Sequence, residues 1–275
     1  MKYTLTLLTS IALLLFAGCR TINISESDAF DPNRTITPQT FNIQPYQFQE
    51  VAISTDDGET LNAWFLERSD AVATTIYFGG NDFLMVTSHM LLDAYRHIPV
   101  NVFLFDYRGY GQSSGDPTVH GVMNDARAAY QFAKNEVQSG NDKIIVHGHS
   151  MGSFLSAYIA DEEDVAGYIL ESPISEVNQW TRRLVPWIAR PFLRFNIDDS
   201  IKDQNNLERL ARNNIPLLIM GGSNDEVTPF RMAEDLYEAS ASPQKTLVKI
   251  TGGTHSDLPK SVEYRRALQD FYEHF

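Results

Sequence analysis

Residues 147–152 read HGHSMG, which places a serine between glycines at 148 and 152, one histidine beside it and another three residues before. In a G-x-S-x-G pattern the glycines permit a sharp turn that exposes the Ser150 hydroxyl. An exposed serine becomes a nucleophile when an imidazole takes its proton and backbone N–H groups receive the charge on the attacked carbonyl. The chemistry on offer is acyl transfer. The plain alternative is a structural serine in a glycine-rich turn, and the element ending at this turn decides between them.

From about residue 48 the chain is periodic. Residues 48–55 alternate as a strand, Asp57-Gly58 marks a hairpin, and 61–66 form its return strand. Short apolar runs follow at 74–78, 100–105, 143–147, 165–170, 215–220 and 245–250. Runs this apolar suit strands buried on both faces, as in a parallel sheet covered by helices. Val119, Val122, Ala126, Ala129, Ala133 and Val137 keep a helical period between them, as do Leu258, Val262, Leu268 and Phe271 near the end. The order predicts an α/β fold: a mostly parallel, doubly wound sheet with an N-terminal antiparallel hairpin. Its chemistry belongs at the carboxyl ends of the strands.

Residues 176–213 are too long for a simple connection. They carry Trp180 and Trp187, with Arg182, Arg183, Arg190 and Arg194 interleaved. A small helical cap is expected there, with Trp180, Trp187 and Phe192 as candidate substrate contacts. Packing onto the body is the plain alternative for those three. The arginines suit a surface that meets anionic groups.

HGHSMG therefore ends the strand at 143–147 and opens a helix from Met151, the setting such an elbow needs. His149, one step along the turn, projects away from its neighbour, and His147 faces a helix layer. The base is expected from the end of another strand. His89 and His97 fall on the first helix, His120 near the next helix start and His274 at the terminus. His255 alone lies in a loop after a C-terminal strand, in GGTHSDLP. Asp225 in GGSNDEVTP, after 215–220, is the candidate to orient it, with Glu226 and Glu171 as rivals. For the oxyanion, one N–H comes from Met151 and the other from FGGND at 78–82, with Asn81 preferred and Asp82 the alternative. No Cys/His cluster has metal-ligand spacing, so neither metal nor cofactor is expected.

FGGN at 78–81, DYRGYGQSSG at 106–115, GHSMG at 148–152, LESP at 170–173, GGSNDEVTP at 221–229 and GGTH at 252–255 together resemble the α/β-hydrolase superfamily. They most resemble its BEM46-like, or serine aminopeptidase S33-like, branch, over about residues 48–275. The resemblance implies the α/β-hydrolase fold and a serine esterase, thioesterase or lipase-like activity on a small-molecule or lipid ester. It also fits the order Ser150, Asp225, His255. Gly79 stands where the family often has histidine. Asp106 and Arg108 match a turn expected to be structural. Peptide cleavage is the second reading, and a non-catalytic envelope lipoprotein that uses the fold for binding is the third.

Thirty-five acidic against 22 basic residues give a net charge of −13, which repels phosphate backbones and argues against nucleic acid as a partner. Lys2, the apolar run at 3–16 and small Ala17 and Gly18 read as a secretory leader. A bilayer span needs about 20 apolar residues, more than this run has. LFAGC at 15–19 resembles a bacterial lipobox, with residues 1–18 removed and Cys19, the single cysteine, acylated. Residues 19–45 are polar, contain Pro32, Pro38 and Pro45, and show no period, as a tether would; the domain proper is expected at 46–275. The expected location is the bacterial cell envelope. Arg20, in place of an acidic residue, favours an outer membrane with the protein facing the periplasm.

Overall fold

The computed structural model describes residues 20–36, 42–136, 143–183 and 193–275. Cys19, Trp187, Phe192 and the leader lie outside them. In chain order the strands are β1 (Arg20–Ile24), β2 (Gln47–Ser54), β3 (Thr60–Glu67), β4 (Ala73–Phe78) and β5 (Val100–Phe105). Then come β6 (Ile144–His149), β7 (Gly167–Glu171), β8 (Leu193–Ile197), β9 (Leu217–Gly222) and β10 (Lys245–Ile250). The helices are α1 (His89–Tyr95), α2 (Val119–Glu136), α3 (Gly152–Glu162) and α4 (Val177–Arg183), then α5 (Asp199–Lys202), α6 (Asn206–Arg212), α7 (Phe230–Ala239) and α8 (Val262–Tyr272).

Eight strands form one sheet in the order β10-β9-β7-β6-β4-β5-β3-β2. Only the β2–β3 and β3–β5 pairs are antiparallel. The apolar runs explain why. β4, β5, β7 and β9 are buried at every position, since alternate side chains enter different layers. Ile76, Phe103, Val146, Leu170 and Ile219 pack with Val122, Ala126 and Ala129 of α2 on one face. Tyr77, Leu104, Ile145, Ile169 and Leu218 pack with α1 and α8 on the other. The helix layers therefore lie on both faces, and the loops that carry chemistry are left at the carboxyl edge.

A turn after β5 braces the loop after β4. Asp106 Oδ1 accepts the Met85 N–H at 2.8 Å, and the Tyr107 hydroxyl donates to the Gly79 carbonyl at 3.0 Å. Arg108 joins Asp57 of the β2–β3 turn to Asp125 of α2, at 2.7 and 2.8 Å. Asp106 and Arg108 are thus committed to structure.

Two expectations are corrected. Residues 20–36 are not a free tether: β1 pairs in parallel with β8, and Phe30 joins the core at 9% exposure. The region 176–213 is not purely helical, because β8 is a strand within it. Each of these short segments supplies the backbone partners the other lacks. Neither shows a strong pattern alone, so the pairing was invisible one segment at a time.

Burial pushes the Asp106 carboxyl up to about 6, against the pull of the Met85 N–H. The folded value lies above the unfolded one, so ionisation opposes folding. Stability from this residue falls as pH rises from near 4 to about 6, then levels off. Asp106→Asn should therefore gain on the wild type by about 2–3 kcal/mol between pH 4 and pH 7 in urea unfolding. A pH-independent difference would show that the carboxylate is not desolvated in this way.

Candidate active site

Ser150 follows β6 with a φ of 52°, a left-handed conformation that costs a non-glycine residue about 1–3 kcal/mol. The surroundings hold it there. Its N–H donates to the Glu171 carbonyl at 2.9 Å, and its own carbonyl accepts the Ser153 N–H at 3.0 Å. The flanking glycines are sterically required. A Cβ on Gly148 would stand 2.2 Å from the Gly152 carbonyl oxygen, and one on Gly152 would stand 2.0 Å from that of Phe78. The elbow can therefore sit directly beside the loop after β4.

His255 Nε2 lies 2.9 Å from Ser150 Oγ, and His255 Nδ1 lies 2.9 Å from Asp225 Oδ2. Asp225 Oδ1 accepts the N–H groups of Val227 and Thr228 at 2.9 and 2.8 Å, so Oδ2 is turned to the imidazole. Burial alone would raise the Asp225 carboxyl. The hydrogen bond and charge of His255, with contacts from Thr228, reverse this and hold it below the usual carboxylate range. Glu226 is exposed. Glu171 is committed elsewhere: its Oε2 accepts the Tyr264 hydroxyl at 2.8 Å and lies 3.0 Å from His147 Nε2.

The two histidines of HGHSMG have separate surroundings. His147 is buried against Glu171 and Tyr95, whose hydroxyl is 2.8 Å from its Nδ1. His149 donates from Nε2 to the His255 main-chain carbonyl at 2.9 Å, and the Ser172 hydroxyl donates to the same oxygen at 3.2 Å. Burial holds the His149 imidazole below its ordinary value, with Glu171 pulling the other way. The neutral Nε2–H tautomer matches its role as donor. Thus neither histidine contacts the Ser150 hydroxyl, yet His149 holds the backbone of the one that does.

Three supporting residues escaped sequence reasoning. Thr228 Oγ1 sits 2.8 Å from Asp225 Oδ2, 2.9 Å from the Ser172 carbonyl and 3.1 Å from His255 Nδ1. Its place three residues after Asp225, as in an Asx-type turn, was the available signal. Ser172, with a φ of 44°, and His149 as a clamp gave none.

Ser150 opens into a cavity of about 280 Å³ that it lines together with Met151, Asn81, Asp82, Trp180 and His255. A Cβ on Gly80 would be 3.6 Å from Ser150 Cβ, so the backbone entering Asn81 runs next to the hydroxyl. Asn81 Oδ1 is taken by the Tyr110 hydroxyl at 3.1 Å and the Asp31 N–H at 2.8 Å, which fixes this loop. Trp180 donates from its indole N–H to the Val227 carbonyl at 3.2 Å, so it ties α4 to the loop that carries Asp225. Among the described residues no group of three or more His, Cys, Asp or Glu is placed to hold a metal ion. A hydroxyl, an imidazole and a carboxylate in this line can carry out acyl transfer without one.

The family model described as serine aminopeptidase, S33, matches residues 76–207. The YfhR protein of Escherichia coli K12 is 27% identical over 238 residues, covering 82% of this chain and 81% of that one. The protein bem46 of Schizosaccharomyces pombe is 26% identical over 243 residues, covering 86% and 79%. An esterase of Pyrococcus furiosus superposes with a TM-score of 0.74 at 20% identity, over 89% of this chain and 97% of that chain. The chain has the α/β-hydrolase fold, and its sequence is similar to the BEM46-like branch over most of its length.

The elbow geometry of this α/β-hydrolase fold yields a direct test. Gly152→Ala must push its new methyl into the Phe78 and Gly79 carbonyl oxygens, at 2.0 and 2.6 Å. Backbone cannot yield as a side-chain end can, so overpacking should lower the unfolding free energy by about 1–3 kcal/mol in urea. At Gly252 a Cβ meets nothing within 4 Å, and only its φ of +76° opposes substitution. Gly252→Ala should be the milder change of the two.

Proposed function

We propose that the protein is a serine hydrolase that cleaves ester or thioester bonds through an acyl-enzyme on Ser150. The observation that carries this reading is the unbroken line Asp225–His255–Ser150, 2.9 Å at each step, opening onto a largely apolar cavity. Ser150 Oγ attacks the acyl carbon as its proton passes to His255 Nε2. The resulting oxyanion is met by the N–H groups of Met151 and Asn81. Collapse breaks the ester bond, and the leaving alcohol or thiol takes the proton from His255. Water then gives a proton to His255, attacks the acyl carbon and releases the acid and free Ser150. Asp225 keeps the imidazole in the needed tautomer and stabilises it when charged. Peptide cleavage is the second reading, favoured by the description of the matched family; the apolar cavity favours an acyl group.

A fluorophosphonate probe should label the wild type and leave Ser150→Ala unlabelled. Asp225→Asn keeps an oxygen for the Val227 and Thr228 N–H groups but sets the wrong histidine tautomer. It should lose about 10³–10⁴ in kcat on p-nitrophenyl esters with little change in melting temperature. Full labelling of Ser150→Ala would sink the assignment, and turnover of aminoacyl p-nitroanilides without ester turnover would favour the peptidase.

Cys19 is the proposed lipid-bearing residue, in LFAGC, and the envelope the proposed location, with the outer membrane favoured by Arg20. Two acyl chains give stable anchoring where one gives only marginal binding. Cys19 immediately precedes β1 in the chain, so an anchor there would be joined directly to a strand of the fold. Cys19→Ser should abolish palmitate incorporation and membrane recovery. Continued incorporation in that variant would refute the anchor.

A further inference from the structure

The segment at 20–36 does more than pair one strand. Glu26 Oε1 accepts the Val119 N–H at 2.6 Å and the Ser200 hydroxyl at 3.3 Å, joining the start of α2 to α5. The Asp198 N–H donates to the Ile24 carbonyl at 2.9 Å. The Asp31 N–H is shared between Asn81 Oδ1 at 2.8 Å and the Tyr110 hydroxyl at 3.1 Å. The Gly111 N–H donates to the Asn33 carbonyl at 2.9 Å, and Arg34 donates to the carbonyls of Ser113 and Gly115 at 3.2 and 2.7 Å. Between these fixed points Ala29 and Phe30 form part of the wall of the Ser150 cavity. A polar linker that moves freely makes no such set of contacts.

We propose that residues 24–34 are a built-in wall of the substrate site, and that Phe30 is a specificity-determining residue for a medium- or long-chain fatty acyl group. The assignment of that group to a substrate rests on the hydrolase reading; the wall itself does not. Val122, Phe154, Ile174 and Ile201 share the cavity lining with Phe30, so an acyl chain there would meet hydrocarbon from both the body and the cap. Asp28 also lines the cavity, and its carboxylate is engaged by Ser25, accepting its N–H at 2.8 Å and its hydroxyl at 2.6 Å. Transfer of methylenes from water into such a lining is worth about 0.8 kcal/mol each, or roughly fourfold in affinity per carbon. The wall is also tied to catalysis through Asn81, because the side chain that holds Asp31 belongs to the loop proposed for the oxyanion.

The test uses the full-length chain and decanoic acid, whose binding by calorimetry needs no turnover. Phe30→Trp fills the cavity and should weaken decanoic acid binding about tenfold or more. It should also lower the decanoyl-to-acetyl ratio of kcat/KM on p-nitrophenyl esters by a similar factor. Should that variant fail to fold, as judged by its circular dichroism melt, Phe30→Leu enlarges the site and should shift preference toward tetradecanoic over decanoic acid. An unchanged chain-length preference in every folded variant, or no decanoic acid binding by the wild type, overturns the proposal. Binding that responds to Phe30 in a protein that turns over no ester would keep the wall and remove the hydrolase reading. Ester turnover that ignores Phe30 would do the reverse.

Discussion

The contact between Gly152 and the carbonyl oxygens of Phe78 and Gly79 sets the geometry on which the site depends. With no Cβ at 152, α3 starts directly against the loop after β4, and a Cβ there would lie 2.0 Å from backbone. That approach puts Ser150 beside Gly80 and Asn81. The positive φ of Ser150 then follows, because the chain must reverse between a buried strand and a helix packed on it. The turn at 106–110 holds the same loop from the other side through Met85, Gly79 and Asn81. Strain at one residue is sustained by many ordinary contacts around it.

Three buried acids show how partners assign roles. Asp106 accepts a single backbone N–H from Met85, and burial pushes it up to about 6. Glu171, also buried, is held below its usual range despite desolvation by His147, His149 and Tyr264. Asp225 is held low by His255 and Thr228 while two N–H groups fix its other oxygen. Only this last carboxylate is both ionised and aimed at an imidazole that reaches the serine. Glu171, at the end of the adjacent strand, is anchored to the far side of the sheet through Tyr264 and His147 instead.

The cavity is assembled from distant parts of the chain. The body supplies Val122 and Phe154, the region after β7 supplies Ile174 and Trp180, and the N-terminal segment supplies Phe30. Pairing of β1 with β8 couples the N-terminal segment to the cap. The residue that would carry a lipid immediately precedes that pairing, so membrane attachment and the substrate site share one structural element in the proposed arrangement.

Periodicity and local spacing alone revealed the eight sheet strands, because burial on both faces leaves unbroken apolar runs. They also singled out Ser150 and His255, since glycine-flanked residues just after such runs fall at the sheet's carboxyl edge. Strand ends were less legible. β6, β7 and β9 continue to His149, Glu171 and Gly222, past the apolar runs, because the last residues serve the site and need not be apolar. Which of Asp225, Glu226 and Glu171 lies against His255 depends on tertiary contacts, since three carboxylates near strand ends differ only in what surrounds them. The β1–β8 pair, the clamp of His149 and Ser172 on His255, and Phe30 in the cavity wall left no periodic trace. Each depends on residues far apart in the chain meeting in space, and local sequence carries no record of such a meeting.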